Sequence, residues 1–378
     1  MSRSRHFTRA ATLRQTGSSV TIKHEDLGTF DSEIKKFDKE RQNQPPTIAR
    51  KKRNIKHIKL EYEDQDEEAA GAESVDISEN FFPLYNKIKE MRELIVTPVD
   101  LIGCVKIPTL LKLITNHYKE TGVIRHIEIA EISGLQDELK LIEKHGTDRF
   151  SRYQLLVTLL FSSQTKDEIN FQVMQALHAH YLQKGYKEGL CIESINDTDE
   201  KELDKMIFQI GFHSRKALYL KETTASLQNG DIPDTIEALV KLKGIGYKMG
   251  HLILQGAWNK VVGISVDTHM VRLCNMFGWT PKNEKNPDNI RKILEQMLVN
   301  HKEMWNEINP VLVGFGQTVC TPVGRRCDLC LLSTIDKKND VVCPAIDKKL
   351  LLRVQRGVEK DDRKIRGDIE RLVEYKNS

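Results

Sequence analysis

The stretch LKGIGYKMG, from Leu242 to Gly250, constrains the fold of this chain more than any other feature. It lies between two apolar segments with helical spacing, IEALVKLKG before it and MGHLILQGAW after it. Glycine inside a helix costs about 1 kcal/mol relative to alanine, so two glycines separated by one residue indicate a break between two helices. The sequence therefore predicts a tight turn whose backbone comes close to a neighbouring group.

Leu242-x-Gly244-Ile245-Gly246 has the hydrophobic–glycine–hydrophobic–glycine pattern of a helix-hairpin-helix motif. The glycines permit backbone angles that other residues avoid and leave the amide groups open to a ligand. The N-terminus of the second helix attracts an anion, and the obvious anion is a nucleic-acid phosphate, bound without regard to sequence. A tight turn between helices that binds nothing fits these five residues equally well.

Lys248 follows the second glycine by two residues, in the predicted first turn of the second helix. The helix dipole disfavours a cation there, which favours a free amine that can attack a carbon and form a Schiff base. A solvated surface lysine is the ordinary alternative. Asp267, in SVDTHM, occupies a helix-capping position, and a capping carboxylate can also take part in acid–base chemistry.

The overall composition permits a nucleic-acid partner without requiring one, because the net charge of the 378 residues is +4. No apolar run is long enough to span a bilayer, and no secretory signal is recognisable. The seven cysteines are an odd number, and the last four are bunched as Cys320-x6-Cys327-x2-Cys330-x12-Cys343. This spacing suits a metal centre and leaves zinc and an iron–sulfur cluster both open.

From Glu79 onward the chain has helical periodicity and little strand-type alternation, so we expect an all-α fold. Thr165-Lys166-Asp167-Glu168 matches a capping box at the start of one helix. Before that region the charge is distributed in blocks, which predicts a disordered extension over residues 1–78. Its first residues have the composition of a mitochondrial transit peptide or of an ordinary basic tail, and the run from Arg50 to Lys59 suits a nuclear address or a nucleic-acid patch.

LKGIGYKMGHLIL, SVDTHMVRLCN and the cysteine cluster, in that order and spacing, resemble the endonuclease III family of DNA glycosylases. SSQTKD, GDIP and VGFGQTVC resemble its eukaryotic branch, and the resemblance covers roughly residues 150–344. It implies an all-α protein of two helical lobes, one a barrel that carries the helix-hairpin-helix and the other built around a 4Fe–4S cluster. We expect residues 79–149 to form a helical segment that packs on the cluster lobe, with an insertion near 106–147. Residues 150–262 would form the hairpin lobe and residues 263–347 the cluster lobe. Residues 348–378 would form a charged C-terminal tail or helix.

The resemblance also implies roles for single residues. Lys248 would be the nucleophile that attacks the sugar C1′ of a damaged nucleotide, and Asp267 would activate it or stabilise the positive charge that develops as the base leaves. Gln164 resembles the residue that fills the space vacated by the extruded nucleotide, and Phe212 resembles an apolar wedge on the opposite strand. A turn residue and a core aromatic are the plainer alternatives for these two.

The same resemblance implies that Cys320, Cys327, Cys330 and Cys343 hold the 4Fe–4S cluster, with zinc as the alternative metal. The last gap of twelve residues departs from the five that are common in the family. Arg325 and Arg326 would face DNA phosphates, together with the amides of Gly244 and Gly246.

The predicted activity is a bifunctional DNA N-glycosylase and AP lyase that removes oxidised pyrimidines in base excision repair. Its partner would be double-stranded DNA with oxidised bases or abasic sites, and its locations the nucleus and the mitochondrion. Nothing in the sequence requires more than a monomer. The alternatives are an adenine or 8-oxoguanine glycosylase of the same superfamily and a non-catalytic DNA-binding module. The adenine enzymes lack a lysine at the position of Lys248, and the 8-oxoguanine enzymes lack the cysteine cluster.

Overall fold

The structure is a computed structural model that describes residues 78–227, 230–333, 343–355 and 367–377. All of them belong to one compact unit, Ala72–Ser378. The expectations for the N-terminal extension and for its addressing segments fall on residues outside these ranges. Among the described residues, no helix combines the length and the apolar character needed to cross a membrane.

The prediction of an all-α fold is confirmed. The described residues form sixteen α-helices and no strand, and their one recorded β-type contact is an isolated antiparallel bridge between Val96 and Asp368. In chain order, α1 to α16 are Ser78–Glu93, Pro98–Ile102, Ile107–Thr121, Gln136–Lys144, Arg149–Ser162, Asp167–Gln183, Ile192–Asn196, Glu200–Met206, His213–Ser226, Ile236–Leu239, Tyr247–Trp258, Thr268–Phe277, Pro287–Met297, Ile308–Thr318, Lys348–Gln355 and Glu370–Asn377. Short 3₁₀ turns cover Ile129–Leu135, Lys302–Trp305 and Leu331–Ser333.

The helices pack around two separate hydrophobic cores. The first core, which defines the hairpin lobe, draws its buried residues from the continuous stretch between Ile102 and Ala257. The second core, which defines the cluster lobe, combines α1 with residues 264–332, Cys343 and the start of the C-terminal helix. The cluster lobe is therefore built from segments on both sides of the hairpin lobe in the sequence.

Residues 106–147 pack differently from the expectation, which placed this region on the cluster lobe. Four apolar residues of α3, Ile107, Leu110, Leu111 and Ile114, are fully buried in the core of the hairpin lobe. They recur at the three- and four-residue intervals of one helix face, and α3 turns that face towards α5 and α6. The insertion is thus part of the hairpin lobe.

The C-terminal residues contribute two helices, and the second of them belongs to the cluster lobe. Leu372 of α16 is fully buried there, and Lys376 donates a hydrogen bond of 3.2 Å from Nζ to the carbonyl oxygen of Cys330. The backbone of Val96 exchanges two hydrogen bonds with Asp368, of 2.9 and 2.8 Å. Helix α16 therefore packs beside Cys330 in the cluster lobe.

Gln317 of α14 joins the two lobes. Its Oε1 accepts a hydrogen bond of 3.2 Å from the backbone N–H of Val99 in α2, and its Nε2 donates one of 2.7 Å to Oδ2 of Asp167 at the start of α6. A cluster-lobe side chain is thus bonded to the first residue of a hairpin-lobe helix.

Candidate active site

The two glycines of the hairpin occupy different structural environments. Gly244 has φ +80°, and a Cβ there would lie 2.7 Å from side-chain carbons of both Leu160 and Tyr219. Gly246 has an ordinary φ of −103°, is exposed, and a Cβ there would have no heavy atom within 4 Å. Folding therefore requires glycine at position 244, whereas the absence of a side chain at position 246 leaves open space.

That open space lies at the N-terminus of α11, where Gly246 is the N-cap and offers no side chain to the first amides. Unpaired amides and the helix dipole favour an anion at such an end. Lys241, Lys243 and Lys248 are exposed around the same turn. The hairpin therefore has the geometry and the charge of a phosphate-binding turn.

Lys248 is exposed in the first turn of α11. The pKa of the Cys104 thiol is raised to about 11, chiefly by burial; the carboxylate of Asp167 contributes to this rise, whereas Lys248 opposes it. Because charges act on a group in this way only at short range, Lys248 and Asp167 both lie near Cys104. Lys248 is therefore close to the turn between α2 and α3, which carries Cys104.

Asp267 is buried and caps α12, since its Oδ1 accepts a hydrogen bond of 2.8 Å from the N–H of Met270. Two residues earlier, the hydroxyl of Ser265 donates a hydrogen bond of 3.2 Å to the carbonyl oxygen of Lys248. Asn309 fixes the same segment through a bond of 2.7 Å from Nδ2 to the carbonyl oxygen of Ser265. The connector that carries Asp267 is therefore bonded to the turn that carries Lys248.

Gln164 and Phe212 lie on two adjoining turns, and both have left-handed backbone conformations, with φ of 52° and 58°. A Cβ on Gly211 would lie 2.5 Å from the carbonyl oxygen of Gln164, which shows how closely the turns pack. Both side chains are exposed, and Phe212 retains 58 % of its accessible surface. Phe212 is thus a surface aromatic and not a core residue, and such strained non-glycine residues cluster at functional sites.

The capping box expected at Thr165 is absent. Helix α6 begins at Asp167 with Lys166 as its N-cap. The hydroxyl of Thr165 instead accepts a hydrogen bond of 3.2 Å from the N–H of Gly211. The hydrogen bond between Thr165 and the turn of Gly211 and Phe212 replaces the local cap.

The four cysteines expected to bind a metal line one cavity, together with apolar residues of α12 and α14. All four are buried. Burial raises the pKa of Cys330 to about 12 and also raises the pKa values of Cys320 and Cys343, with the neighbouring thiols contributing. As placed in the described ranges, no set of three or more His, Cys, Asp or Glu side chains is close enough to hold a metal ion. The cavity and its four thiols are nevertheless the donor set that an iron–sulfur cluster uses.

Arg272, which no sequence motif marks, lies beside Cys320. Its Nη1 is 3.7 Å from Sγ of Cys320, and its Nη2 donates a hydrogen bond of 2.5 Å to the carbonyl oxygen of the same residue. The guanidinium opposes the rise in the pKa of this thiol. A thiolate ligand at Cys320 would thus have a fixed cation next to it.

The two arginines assigned to phosphates are both engaged within the chain. Arg326 forms a bidentate pair with Asp328, with contacts of 2.7 and 3.0 Å, and its side chain is only 12 % exposed. Arg325 donates a hydrogen bond of 2.8 Å from Nη1 to the carbonyl oxygen of Ala345. Arg326 therefore holds the cysteine loop together, and a phosphate role would have to compete with Asp328.

Comparison with known proteins identifies the family to which this chain is related. Residues 157–299 match the family described as HhH-GPD superfamily base excision DNA repair protein. Over 290 residues the chain is 35 % identical to endonuclease III homolog 2 of Saccharomyces cerevisiae, a match that spans 75 % of this chain and 68 % of that protein. It is 40 % identical over 259 residues to the endonuclease III homolog of Schizosaccharomyces pombe, with 68 % of this chain and 61 % of the relative covered.

A third relative, endonuclease III-like protein 1 of Mus musculus, is 44 % identical over 203 residues, which are 53 % of this chain and 62 % of the relative. The chain therefore spans about three fifths of the length of two of these relatives. The matched residues include the hairpin with Lys248 and the connector with Asp267. On these grounds the chain belongs to the eukaryotic endonuclease III family, within the HhH-GPD superfamily of base excision DNA repair proteins.

Proposed function

We propose that this protein is a bifunctional DNA N-glycosylase and AP lyase that removes oxidised pyrimidines such as thymine glycol from double-stranded DNA. The observation that carries the proposal is the position of Lys248. Its amine is exposed in the first turn of α11, next to a phosphate-binding turn, and its carbonyl oxygen is bonded to the connector that ends in Asp267. Membership in a family of base excision repair proteins supports the same activity.

DNA binding begins with the backbone of the duplex. The exposed amides at Gly246 and the lysines around the hairpin contact phosphates without reading the sequence. Because the target carbon is inaccessible in a stacked duplex, the damaged nucleotide has to leave the stack to reach Lys248. Gln164 then occupies the vacated space, and the exposed ring of Phe212 contacts the opposite strand.

The chemical step uses the amine of Lys248. As Nζ forms a bond to C1′ of the sugar, the bond from C1′ to the base breaks and its electron pair leaves with the base. The sugar ring opens to a Schiff base, which acts as an electron sink. Loss of a proton from C2′ then expels the 3′ phosphate by β-elimination, and water releases Lys248 from the sugar fragment.

Asp267 acts on the same step from the start of α12. Its carboxylate is oriented by the bond from Met270 to Oδ1, so it does not need to reorganise during the reaction. From there it takes the proton that Lys248 must lose, or it stabilises the positive charge that builds up on the sugar. The hydrogen bond from Ser265 to the carbonyl oxygen of Lys248 ties the connector that carries this carboxylate to the backbone of the hairpin helix.

We also propose that Cys320, Cys327, Cys330 and Cys343 hold a 4Fe–4S cluster. Four buried thiols that line one cavity support this proposal, and the resemblance of the sequence favours an iron–sulfur cluster over zinc. When bound, the cluster would tie the ends of the cysteine loop together and would supply no step of base removal.

Borohydride trapping tests the activity. The protein is incubated with a duplex that contains one thymine glycol, and sodium borohydride is added to reduce any Schiff base to a stable adduct. We expect an adduct with the wild-type protein and none with Lys248→Gln. The matched control is Lys282→Gln, which changes an exposed lysine outside the hairpin and should form adduct at the wild-type rate.

The other outcomes are informative. Release of free thymine glycol without an adduct would mean a glycosylase that does not use Lys248 as its nucleophile. Tight binding to the duplex without release or adduct would favour the non-catalytic module. An adduct that persists in Lys248→Gln would refute the assignment of the nucleophile.

A further inference from the structure

Lys216 of α9 has a buried side chain, 4 % exposed, directed at the turn that carries Gln164. Its Nζ donates hydrogen bonds to the carbonyl oxygens of Phe161 and Ser163, of 2.8 and 2.6 Å, and to Oγ1 of Thr165, of 3.3 Å. Ser163 and Thr165 are the sequence neighbours of Gln164 on either side. Two of its three bonds therefore go to the residues that flank Gln164, and the third goes to the last turn of α5, which leads into them.

The backbone of the same residue reaches the second turn. The N–H of Lys216 donates a hydrogen bond of 3.1 Å to the carbonyl oxygen of Phe212, the N-cap of α9. Oγ1 of Thr165 accepts from Lys216 and also from the N–H of Gly211. The turns of Gln164 and Phe212 are thus linked into one unit, with Lys216 bonded to both.

The acceptors around the Lys216 side chain favour a positive charge on its amine. Burial lowers the pKa of Lys216 to about 8, so at pH 7 the amine is mostly protonated and has three hydrogens to donate. Its acceptors Phe161 and Ser163 lie at the C-terminal end of α5, where carbonyl oxygens attract a cation. Left-handed backbone at two non-glycine residues costs free energy and persists only where the surroundings hold it.

We propose that Lys216 is a positioning residue that holds Gln164 and Phe212 in the conformation in which they enter the DNA stack. In this role it sets the preference of the protein for duplexes with a damaged or missing base over undamaged duplexes. The inference rests on the proposed function, because it assigns a purpose to two residues of the same site. Lys216 does not touch the reacting atoms.

The chain offers a matched control on the same helix. Lys221 donates from Nζ to three carbonyl oxygens, those of Ile195, Asn196 and Thr198, at 2.7, 3.0 and 2.6 Å. These acceptors lie at the end of α7 and not at the turns of Gln164 and Phe212. Lys216→Met and Lys221→Met each remove one ammonium group with three acceptors and keep an unbranched side chain.

The test measures binding to two duplexes, one undamaged and one with a tetrahydrofuran abasic analogue opposite 2-aminopurine. For Lys216→Met we expect about a tenfold loss of affinity for the abasic duplex, because buried acceptors lose their donor and the turns relax. Affinity for the undamaged duplex should stay within about twofold, since phosphate contacts carry it. The fluorescence change of 2-aminopurine on binding should shrink in parallel, and Lys216→Arg should restore part of both.

Amide hydrogen exchange of the free protein gives a readout that needs no DNA. Peptides that cover residues 163–165 and 211–213 should exchange faster in Lys216→Met and not in Lys221→Met. If Lys216→Met does not fold, Thr165→Val tests the same link, because it removes the hydroxyl that joins the two turns, and the same changes are expected.

Wild-type exchange in Lys216→Met, or a wild-type preference for the abasic duplex, would overturn the proposal. An equal loss of preference in Lys221→Met would also overturn it, because the effect would then be a general loss of stability. A wild-type protein with no preference for the abasic duplex would instead refute the proposed function, and hydrogen exchange would still decide whether Lys216 holds the turns.

Discussion

The hydroxyl of Ser265 donates a hydrogen bond of 3.2 Å to the carbonyl oxygen of Lys248. Ser265 is 1 % exposed, and its own carbonyl oxygen is bonded to Asn309 in the cluster lobe. The bond therefore runs from the cluster lobe, through the connector before Asp267, to the first turn of the hairpin helix. It links the backbone of Lys248 to the connector that carries Asp267.

We expect Ser265→Ala to slow formation of the borohydride-trapped adduct without weakening DNA binding to the same degree. The substitution removes one hydrogen bond, which contributes about 1 kcal/mol, and loosens the register between Lys248 and Asp267. An error of about 1 Å in such a register can cost about 100-fold in rate. Single-turnover trapping rates and dissociation constants measured on one duplex separate the two effects. Equal losses in both would show that the bond serves binding only.

The two hairpin glycines should respond differently to alanine. Gly244→Ala places a Cβ 2.7 Å from Leu160 and Tyr219 at φ +80°, so we expect a loss of about 2–4 kcal/mol in the free energy of unfolding. Gly246→Ala places its methyl group in open space, so its free energy of unfolding should change by less than about 1 kcal/mol. Urea unfolding measures both.

Only Gly246→Ala should impair DNA binding in a fully folded protein. Its methyl group would occupy the space through which a phosphate approaches the amides of α11. Titrations over a range of salt concentrations measure this loss. Wild-type affinity in Gly246→Ala would mean that no phosphate binds at this helix end.

Local signals in the sequence identified features whose physical cause is also local. The glycine pair marks the break between α10 and α11, and Asp267 forms the helix cap that its sequence context predicts. Thr165 shows the limit of such reasoning. Its sequence fits a capping box, but its hydroxyl bonds to Gly211, 46 residues away, because the packing of the two turns outweighs the local cap.

The sequence could not reveal what depends on long-range contacts. The apolar stripe of α3 showed that one face is buried, but not which lobe covers it. In the sequence nothing distinguishes Lys216 from other helical lysines, because its acceptors lie more than fifty residues away. Arg326 and Asp328, by contrast, are only two residues apart, so their ion pair is a local contact that the sequence alone could suggest.

His178 makes the stability of the hairpin lobe dependent on pH. Its Nδ1 accepts a hydrogen bond of 3.2 Å from the N–H of Leu190, and its Nε2 lies 2.8 Å from Oγ1 of Thr115 on α3. Burial lowers the pKa of His178 from 6.5 to about 3. The folded state therefore holds the ring neutral, whereas the unfolded chain protonates it below pH 6.5.

The contribution of His178 to stability is complete above pH 6.5 and is lost as the pH falls towards 3. Between pH 7 and pH 5 we expect a loss of about 2 kcal/mol from this residue, at about 1.4 kcal/mol per pH unit. Urea unfolding of the wild type and of His178→Gln at both pH values isolates the contribution of His178, because glutamine does not titrate. The free-energy difference between the two proteins should shrink by that amount at pH 5. A constant difference would show that the folded protein does not keep this ring neutral.

Cys343 is the cysteine with the unusual spacing, and it decides between three and four thiolate ligands. It lines the same cavity as Cys320, Cys327 and Cys330, and its N–H donates a hydrogen bond of 3.0 Å to the carbonyl oxygen of Leu332. This bond returns the chain to the cavity after the long gap. We therefore expect Cys343→Ala to lose the iron, the acid-labile sulfide and the visible absorption of the purified protein.

The matched control is Cys191→Ala, because Cys191 is also buried but lies in the hairpin lobe at the N-cap of α7. It should keep about four iron atoms per chain, as expected for a 4Fe–4S cluster. Iron and sulfide assays on proteins purified without oxygen make the comparison. Full iron content in Cys343→Ala would remove this residue from the ligand set, and zinc in place of iron in the wild-type protein would overturn the cluster itself.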